Sequence, residues 1–150
     1  MYLNNKDILT YQRNRHPYLM IDVAEEVIPG KSVKGYKKLT AKDWFFKCHF
    51  PGDPNMPGLL QVEAIVQLSA LAILTLSGNK GKVMYLSKVS NSKFKKKVII
   101  GDRLDIYSEV ISYKRGVAKF QGQATVRDNK ACEVDFELVL PDEVDKFKIK

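Results

Sequence analysis

Apolar and polar positions alternate along most of this chain, and one stretch breaks the habit. Between Pro57 and Gly78 the residues are apolar on nearly every side of a helix, which predicts a rod of about twenty residues and roughly 30 Å. Pro57 sits near the first turn, where its missing N–H costs nothing, and Gly78 is a natural C-terminal stop. Polar residues inside this stretch are few. Glu63 and Gln67 share one narrow stripe, while Gln61, Ser69, Thr75 and Ser77 scatter around the other sides. A membrane span has the same length, but a carboxylate deep in lipid costs several kcal/mol, and no second apolar segment accompanies it. A helix this apolar all round is therefore wrapped by protein.

The wrapping comes from the rest of the chain. Residues 83–89, 93–100, 103–113, 117–127 and 131–140 are β-branched and aromatic runs, often alternating, and read as antiparallel strands. Asp128-Asn129 predicts a tight turn, and Lys114-Arg115-Gly116 a longer loop with its glycine left-handed. Upstream, Asn4 or Asn5 caps a short helix through Asp7, Ile8, Leu9 and Tyr11, which ends before Pro17. The apolar run 18–23 suits a strand entering the core, Pro29-Gly30 a turn, and 32–40 a strand with one wet face. Residues 40–43 cap a helical turn whose Trp44, Phe45 and Phe46 fold inward. One long buried helix with five or more antiparallel strands predicts an α+β fold, the sheet curled around the helix, as one domain over residues 1–150. The charged tail after Pro141 is expected to fray.

Composition narrows the setting. Cys48 and Cys132 form no CxxC or Cys/His ligand spacing and no basic-then-apolar leader precedes them, so a reduced, cytoplasmic protein is expected. The net charge of +8 favours an acidic partner, whether nucleic acid, anionic membrane or an acidic carrier protein. Lysines 93, 95, 96 and 97 crowd together, with Arg103, Lys114 and Arg115 further on, but without the interleaved aromatics of a base-stacking platform.

Candidate chemistry concentrates at the start of the long helix. Burial raises the pKa of Glu63 and makes it a general acid, or else it is a structural carboxylate satisfied by a neighbour. His49 precedes a loop with three prolines and two glycines in residues 51–58, a backbone built to hold a shape. It is a base near neutral pH or a packed loop histidine. Gly58, at the helix N-terminus, offers free amides to a developing oxyanion or is a plain turn residue. Cys48 next to His49 invites a nucleophilic pair, but adjacent side chains on a strand point to opposite faces, leaving Cys48 a small packing residue. No GxSxG, HExxH or phosphate loop occurs, so neither a metal nor a nucleotide cofactor is expected.

The segment HFPGDPNMPGLLQVEA closely resembles the signature of the 3-hydroxyacyl-acyl-carrier-protein dehydratases of the FabZ type, which have a hot-dog fold. HPYLMID is similar to that family's YPFLLVD-like segment, WFFKCHFPG to FFxGHFPG, and KFKKKVIIGDRL to KFRRPVxPGDxL; GVAKFQGQA also fits. Cys48, Asn55, Lys97, Ile100 and the run Val89-Ser90-Asn91 depart from the usual residues.

The resemblance implies a cofactor-independent dehydratase that converts a 3-hydroxyacyl chain to a trans-2-enoyl thioester. It makes His49 the base at C2, Glu63 the acid at the C3 hydroxyl and Gly58 the amide that polarises the thioester carbonyl. Phe50, Met56 and Gln67 join the substrate site, and a cis His49-Phe50 peptide is expected. An acidic acyl carrier protein docks on Lys93, Lys95, Lys96, Lys97 and Arg103, rather than nucleic acid or membrane. The histidine and glutamate of one site come from different subunits of a homodimer, which can assemble further into a hexamer. Glu63, where the related dehydratase/isomerases carry aspartate, argues against isomerisation. Two other readings of a hot-dog chain are an acyl thioesterase and a non-catalytic acyl-carrier-binding subunit.

Overall fold

The structure, a computed structural model, describes residues 1–147. Its elements are α1 (Asn5–Tyr11), β1 (Val23–Ile28), β2 (Ser32–Lys38), a 3₁₀ turn (Trp44–Lys47), α2 (Gly58–Leu74), β3 (Tyr85–Phe94), β4 (Arg103–Lys114), β5 (Val117–Val126), β6 (Asn129–Val139) and α3 (Pro141–Lys146). The strands form one antiparallel sheet in the order β1-β2-β4-β5-β6-β3. That sheet curls around α2, thirteen of whose seventeen residues are buried. Burial on all sides is the outcome expected of a helix without a polar face.

The sheet approaches the helix closely at Gly122 on β5. A β-carbon there would lie 2.4 Å from Ile65 Cγ2 on α2, so the backbone of the strand packs where a side chain would otherwise stand. Beside it, Phe120 and Phe136 stack with ring centroids 5.1 Å apart. Asn4 caps α1 through a reciprocal capping box with Asp7.

Several expectations need correction. Residues 18–22 are not a strand: Tyr18 and Leu19 turn back onto the Arg15 carbonyl, and the ladder begins at Val23. Met20 and Ile21 are apolar because they enter the core, and the backbone at Tyr18 and Met20 is bonded by the Gln67 side chain of α2, with bonding to β2 starting only at the Asp22 amide. The strand expected over 83–89 and the first two residues of that expected over 93–100 form one strand, β3, which absorbs the polar Ser90-Asn91-Ser92 in a bulge with Asn91 at φ 51°, and residues 95–100 are not strand. Trp44 points outward, its Nε1 donating to the Pro17 carbonyl, whereas Phe45 and Phe46 are buried as expected. The β5–β6 turn is centred on Arg127-Asp128, one residue earlier than expected, and Arg115-Gly116 is a two-residue turn; all four residues have positive φ, as tight hairpins require. The helix ends at Leu74, with the buried Asn79 donating to the Ile73 carbonyl. After Pro141, where the tail is expected to fray, the chain forms the short α3, none of whose residues is buried, and residues 148–150 lie outside the described residues. No helix among the described residues is long and apolar enough to cross a membrane.

Candidate functional site

The loop before α2 holds His49 by its own backbone. The His49 amide donates to the Phe45 carbonyl, the Asn55 amide donates to the His49 carbonyl at 2.9 Å, and Phe50 and Asp53 exchange a pair of amide bonds. The His49-Phe50 peptide is cis, and the two rings lie with centroids 4.0 Å apart. The half-buried imidazole has its Nδ1 3.0 Å from the main-chain carbonyl of Asn55. A carbonyl only accepts, so Nδ1 carries the proton and Nε2 presents its lone pair. This contact uses no side chain of residue 55, whose amide group instead donates to the Asp53 carbonyl.

Cys48, exposed at the end of the 3₁₀ turn, directs its thiol to the Phe45 carbonyl, so it is neither a packing residue nor a partner for the imidazole. Cys132 is buried, and burial with the nearby Glu133 carboxylate pushes its thiol up to about 11, far from a nucleophile's range.

Glu63 lies one turn and a half into α2. Burial pushes its carboxyl above the usual range, opposed by a hydrogen bond from Gln67. Gln67 itself is almost fully buried and every polar atom is occupied: Nε2 donates to Glu63 Oε1 at 2.9 Å and to the Tyr18 carbonyl at 2.9 Å, and Oε1 accepts from the Met20 amide at 2.7 Å. The stripe shared by Glu63 and Gln67 is thus a tether between the acid and residues 18–20. Tyr18, half-exposed, feels the Glu63 charge, which adds to burial in raising its hydroxyl's pKa.

At the N-terminus of α2 a cleft of about 610 Å³ is lined by Asn55, Met56, Gly58, Gln61, Phe94 and Lys95 to Lys97, among others. Gly58 faces the Phe94 ring so closely that a β-carbon would lie 2.8 Å from two ring carbons. The structure divides the expected basic cluster. Lys95, Lys96 and Lys97 line this cleft; Lys93 lines a separate groove on the sheet. Lys93 and Lys95 pair with Glu133, and Lys97 with Asp53. Arg103 lies away from the cleft, paired with Glu25 and Asp105 and stacked 3.9 Å over the Tyr36 ring. Phe50 is exposed and Met56 buried. Among the described residues no hydrogen bond or ion pair joins His49 to Glu63, and no group of three potential ligands could hold a metal. Sequence reasoning missed the Asn55 carbonyl, because a main-chain contact leaves no trace in residue identity.

Comparison with known proteins gives the family of the chain. Residues 13–135 match the FabA-like domain. A 3-hydroxyacyl-[acyl-carrier-protein] dehydratase FabZ of Clostridium novyi (strain NT) is 41% identical over 138 residues, covering 91% of this chain and 97% of that protein. The protein of the same name from Bacillus subtilis (strain 168) is 38% identical, covering 92% and 98%. Among solved structures, the dehydratase heterocomplex ApeI:P from Xenorhabdus doucetiae superposes with a TM-score of 0.76 at 13% identity, covering 95% of this chain and 97% of that one, a likeness of fold. A hypothetical thioesterase with coenzyme A from Streptococcus pneumoniae TIGR4 gives 0.60 at 17% identity, covering 77% and 82%.

Proposed function

The chain belongs to the FabA-like family, among its FabZ-type dehydratases, and from that premise we propose how its residues share the reaction. It is a hydro-lyase that dehydrates a 3-hydroxyacyl chain carried on an acyl carrier protein, a step of fatty-acid biosynthesis.

His49 Nε2 removes a proton from C2 of the substrate. The observation that carries this role is the Nδ1 to Asn55 carbonyl contact, which fixes the tautomer and supports the imidazolium as it forms. The Gly58 amide, at the positive end of α2, donates to the thioester carbonyl as negative charge develops there. Glu63, kept protonated more readily by burial, delivers its proton to the C3 hydroxyl. The C2–H and C3–O bonds break, the C2=C3 double bond forms and water leaves. No electrons are exchanged with a second reagent, so the chemistry calls for no redox cofactor. Gln67 acts on the substrate through Glu63, by holding its carboxylate, and Met56 lines the cleft beside Gly58, while Phe50 stands outside it.

The proposal extends to assembly. β3 is ten residues long, its outer edge has no neighbour in this sheet, and both of its faces are exposed, with Tyr85, Leu86, Val89 and Phe94 all more than two-fifths accessible. Pairing with a second copy along this edge supports a homodimer in which His49 of one subunit works with Glu63 of the other. The lysines 95 to 97 at the cleft mouth suit an acidic carrier protein, and a reduced cytoplasm suits the two unbridged cysteines.

The test is turnover of 3-hydroxyacyl carrier protein followed by product mass. His49→Ala and Glu63→Gln should each abolish the enoyl product while leaving the circular dichroism spectrum intact; full activity in either variant refutes the assignment.

A further inference from the structure

The carbonyl that holds His49 is one end of a peptide whose other end is also fixed. The peptide between Asn55 and Met56 is trans; its oxygen accepts from His49 Nδ1 at 3.0 Å, and its N–H donates to the Val98 carbonyl at 2.8 Å. The two groups point opposite ways from one rigid plane, so the bond to Val98 aims the carbonyl at the imidazole. Met56 and Val98 are both buried, which keeps water from competing for that bond. The base is thus suspended from the segment that follows β3.

A second link joins the same two segments. Lys97, next to Val98, bonds its ammonium to the Asp53 carboxylate. Asp53 is the hub of the loop: its amide and carbonyl exchange bonds with Phe50, and the carbonyl also accepts from the Asn55 side chain at 3.1 Å. Asn55 and Lys97 are two of the positions at which the sequence departs from the usual residues, and both side chains converge on Asp53. We propose that Lys97 and Asp53 are positioning residues for the dehydration, holding the loop against residues 97–98 so that the Asn55 carbonyl keeps His49 Nε2 aimed at C2. They act through the base and touch no reacting atom, and the inference rests on the dehydratase reading. The Lys97 and Asp53 side chains are 53% and 59% exposed, so the pair has the strength of a surface ion pair, and its loss slows the reaction without stopping it.

The experiment uses an uncharged substrate, the 3-hydroxybutyryl thioester of N-acetylcysteamine, which removes any part Lys97 plays in carrier docking. Lys97→Met and Asp53→Asn should each lower kcat by about two- to fivefold with KM unmoved, and the double variant should lose no more than either alone, because one interaction is broken in all three. Raising the salt to about 1 M, where the screening length falls to roughly 3 Å, should slow wild type towards the variants and leave the variants as they were. The salt ratio is read within each protein, so a difference in the folded fraction cancels. Wild-type kcat in either single variant, a loss confined to KM, losses that multiply in the double variant, or the same salt ratio in wild type and variants overturns the proposal. Absence of any enoyl product from wild type would overturn the dehydratase reading, and the inference with it.

Discussion

Gln67→Leu is the substitution that most directly probes how the acid is held. The side chain is 2% exposed and makes three hydrogen bonds, to Glu63, to the Tyr18 carbonyl and from the Met20 amide. Leucine fills a similar volume and makes none of them. The Tyr18 carbonyl and the Glu63 carboxylate are not fully enclosed, so water recovers part of those losses. Met20 is fully buried, and its stranded amide carries most of the penalty, about 1–3 kcal/mol. Untethering residues 18–20 adds to this, and a total of about 2–3 kcal/mol lowers the melting temperature by roughly 4–12 °C for a chain of this size.

The kinetic signature has a definite sign. The Gln67 bond lowers the pKa of Glu63 against the upward push of burial, so its loss moves the carboxyl further up. A reaction that needs Glu63 protonated then persists to higher pH, and the basic limb of the kcat profile shifts upward even as kcat itself falls through lost alignment. Thermal denaturation and a pH–rate profile, measured on the same preparations, check both halves. A variant that melts within a degree of wild type with an unmoved basic limb would show that Gln67 neither tethers the segment nor governs the acid.

Three further outcomes are expected. Glu63→Gln should make the protein more stable than wild type at neutral pH. A carboxyl whose folded pKa is raised contributes stability fully present below its unfolded value and lost as pH rises through the folded one, so the advantage should vanish in acid denaturation series run at low pH. Gly122→Ala drives a methyl to within 2.4 Å of Ile65 Cγ2 and should cost about 1–3 kcal/mol in urea unfolding, and adding Ile65→Ala should cost less in that variant than it does alone. Val89→Asp places a charge on the open edge of β3, and on the proposed pairing of two copies along that edge it should shift sedimentation from dimer to monomer and remove activity together.

The elements that were legible in the sequence are those whose burial is set locally. α2 was readable because its residues are apolar at every angle, and the Glu63–Gln67 pairing because four residues bring two side chains to one face. Strands β4 to β6 alternate cleanly because one face meets the helix and the other meets water. Residues 18–22 deceived because the Met20 amide and the Tyr18 carbonyl are satisfied from 47 and 49 positions away, by a single glutamine that periodicity cannot connect to them. Ser90-Asn91-Ser92 split one strand into two apparent runs because the bulge there takes polar residues. The basic cluster read as one surface because spacing along the chain says nothing about which carboxylates fold back onto it; Glu133 and Asp53 take three of its lysines and the Arg103 group leaves it altogether.

The exposed strand and the divided chemistry have one explanation. In β3 the bulge between Leu86 and Lys88 brings Leu86, Val89 and Phe94 to one face, opposite Leu138, Phe136 and Cys132, with Tyr85 on the other, and all four are exposed, so an apolar strand face is left uncovered within one chain. Within that chain β3 also stands at the border, while the imidazole and the carboxyl are each fully positioned by neighbours of their own, Asn55 for one and Gln67 for the other, with no bond between them. On the proposed roles, each half is prepared to act together with a group that a second copy brings to it. Extension of the sheet through β3 would cover the open edge and set one prepared half against the other, so that the contact protecting the strand from aggregation also completes the site.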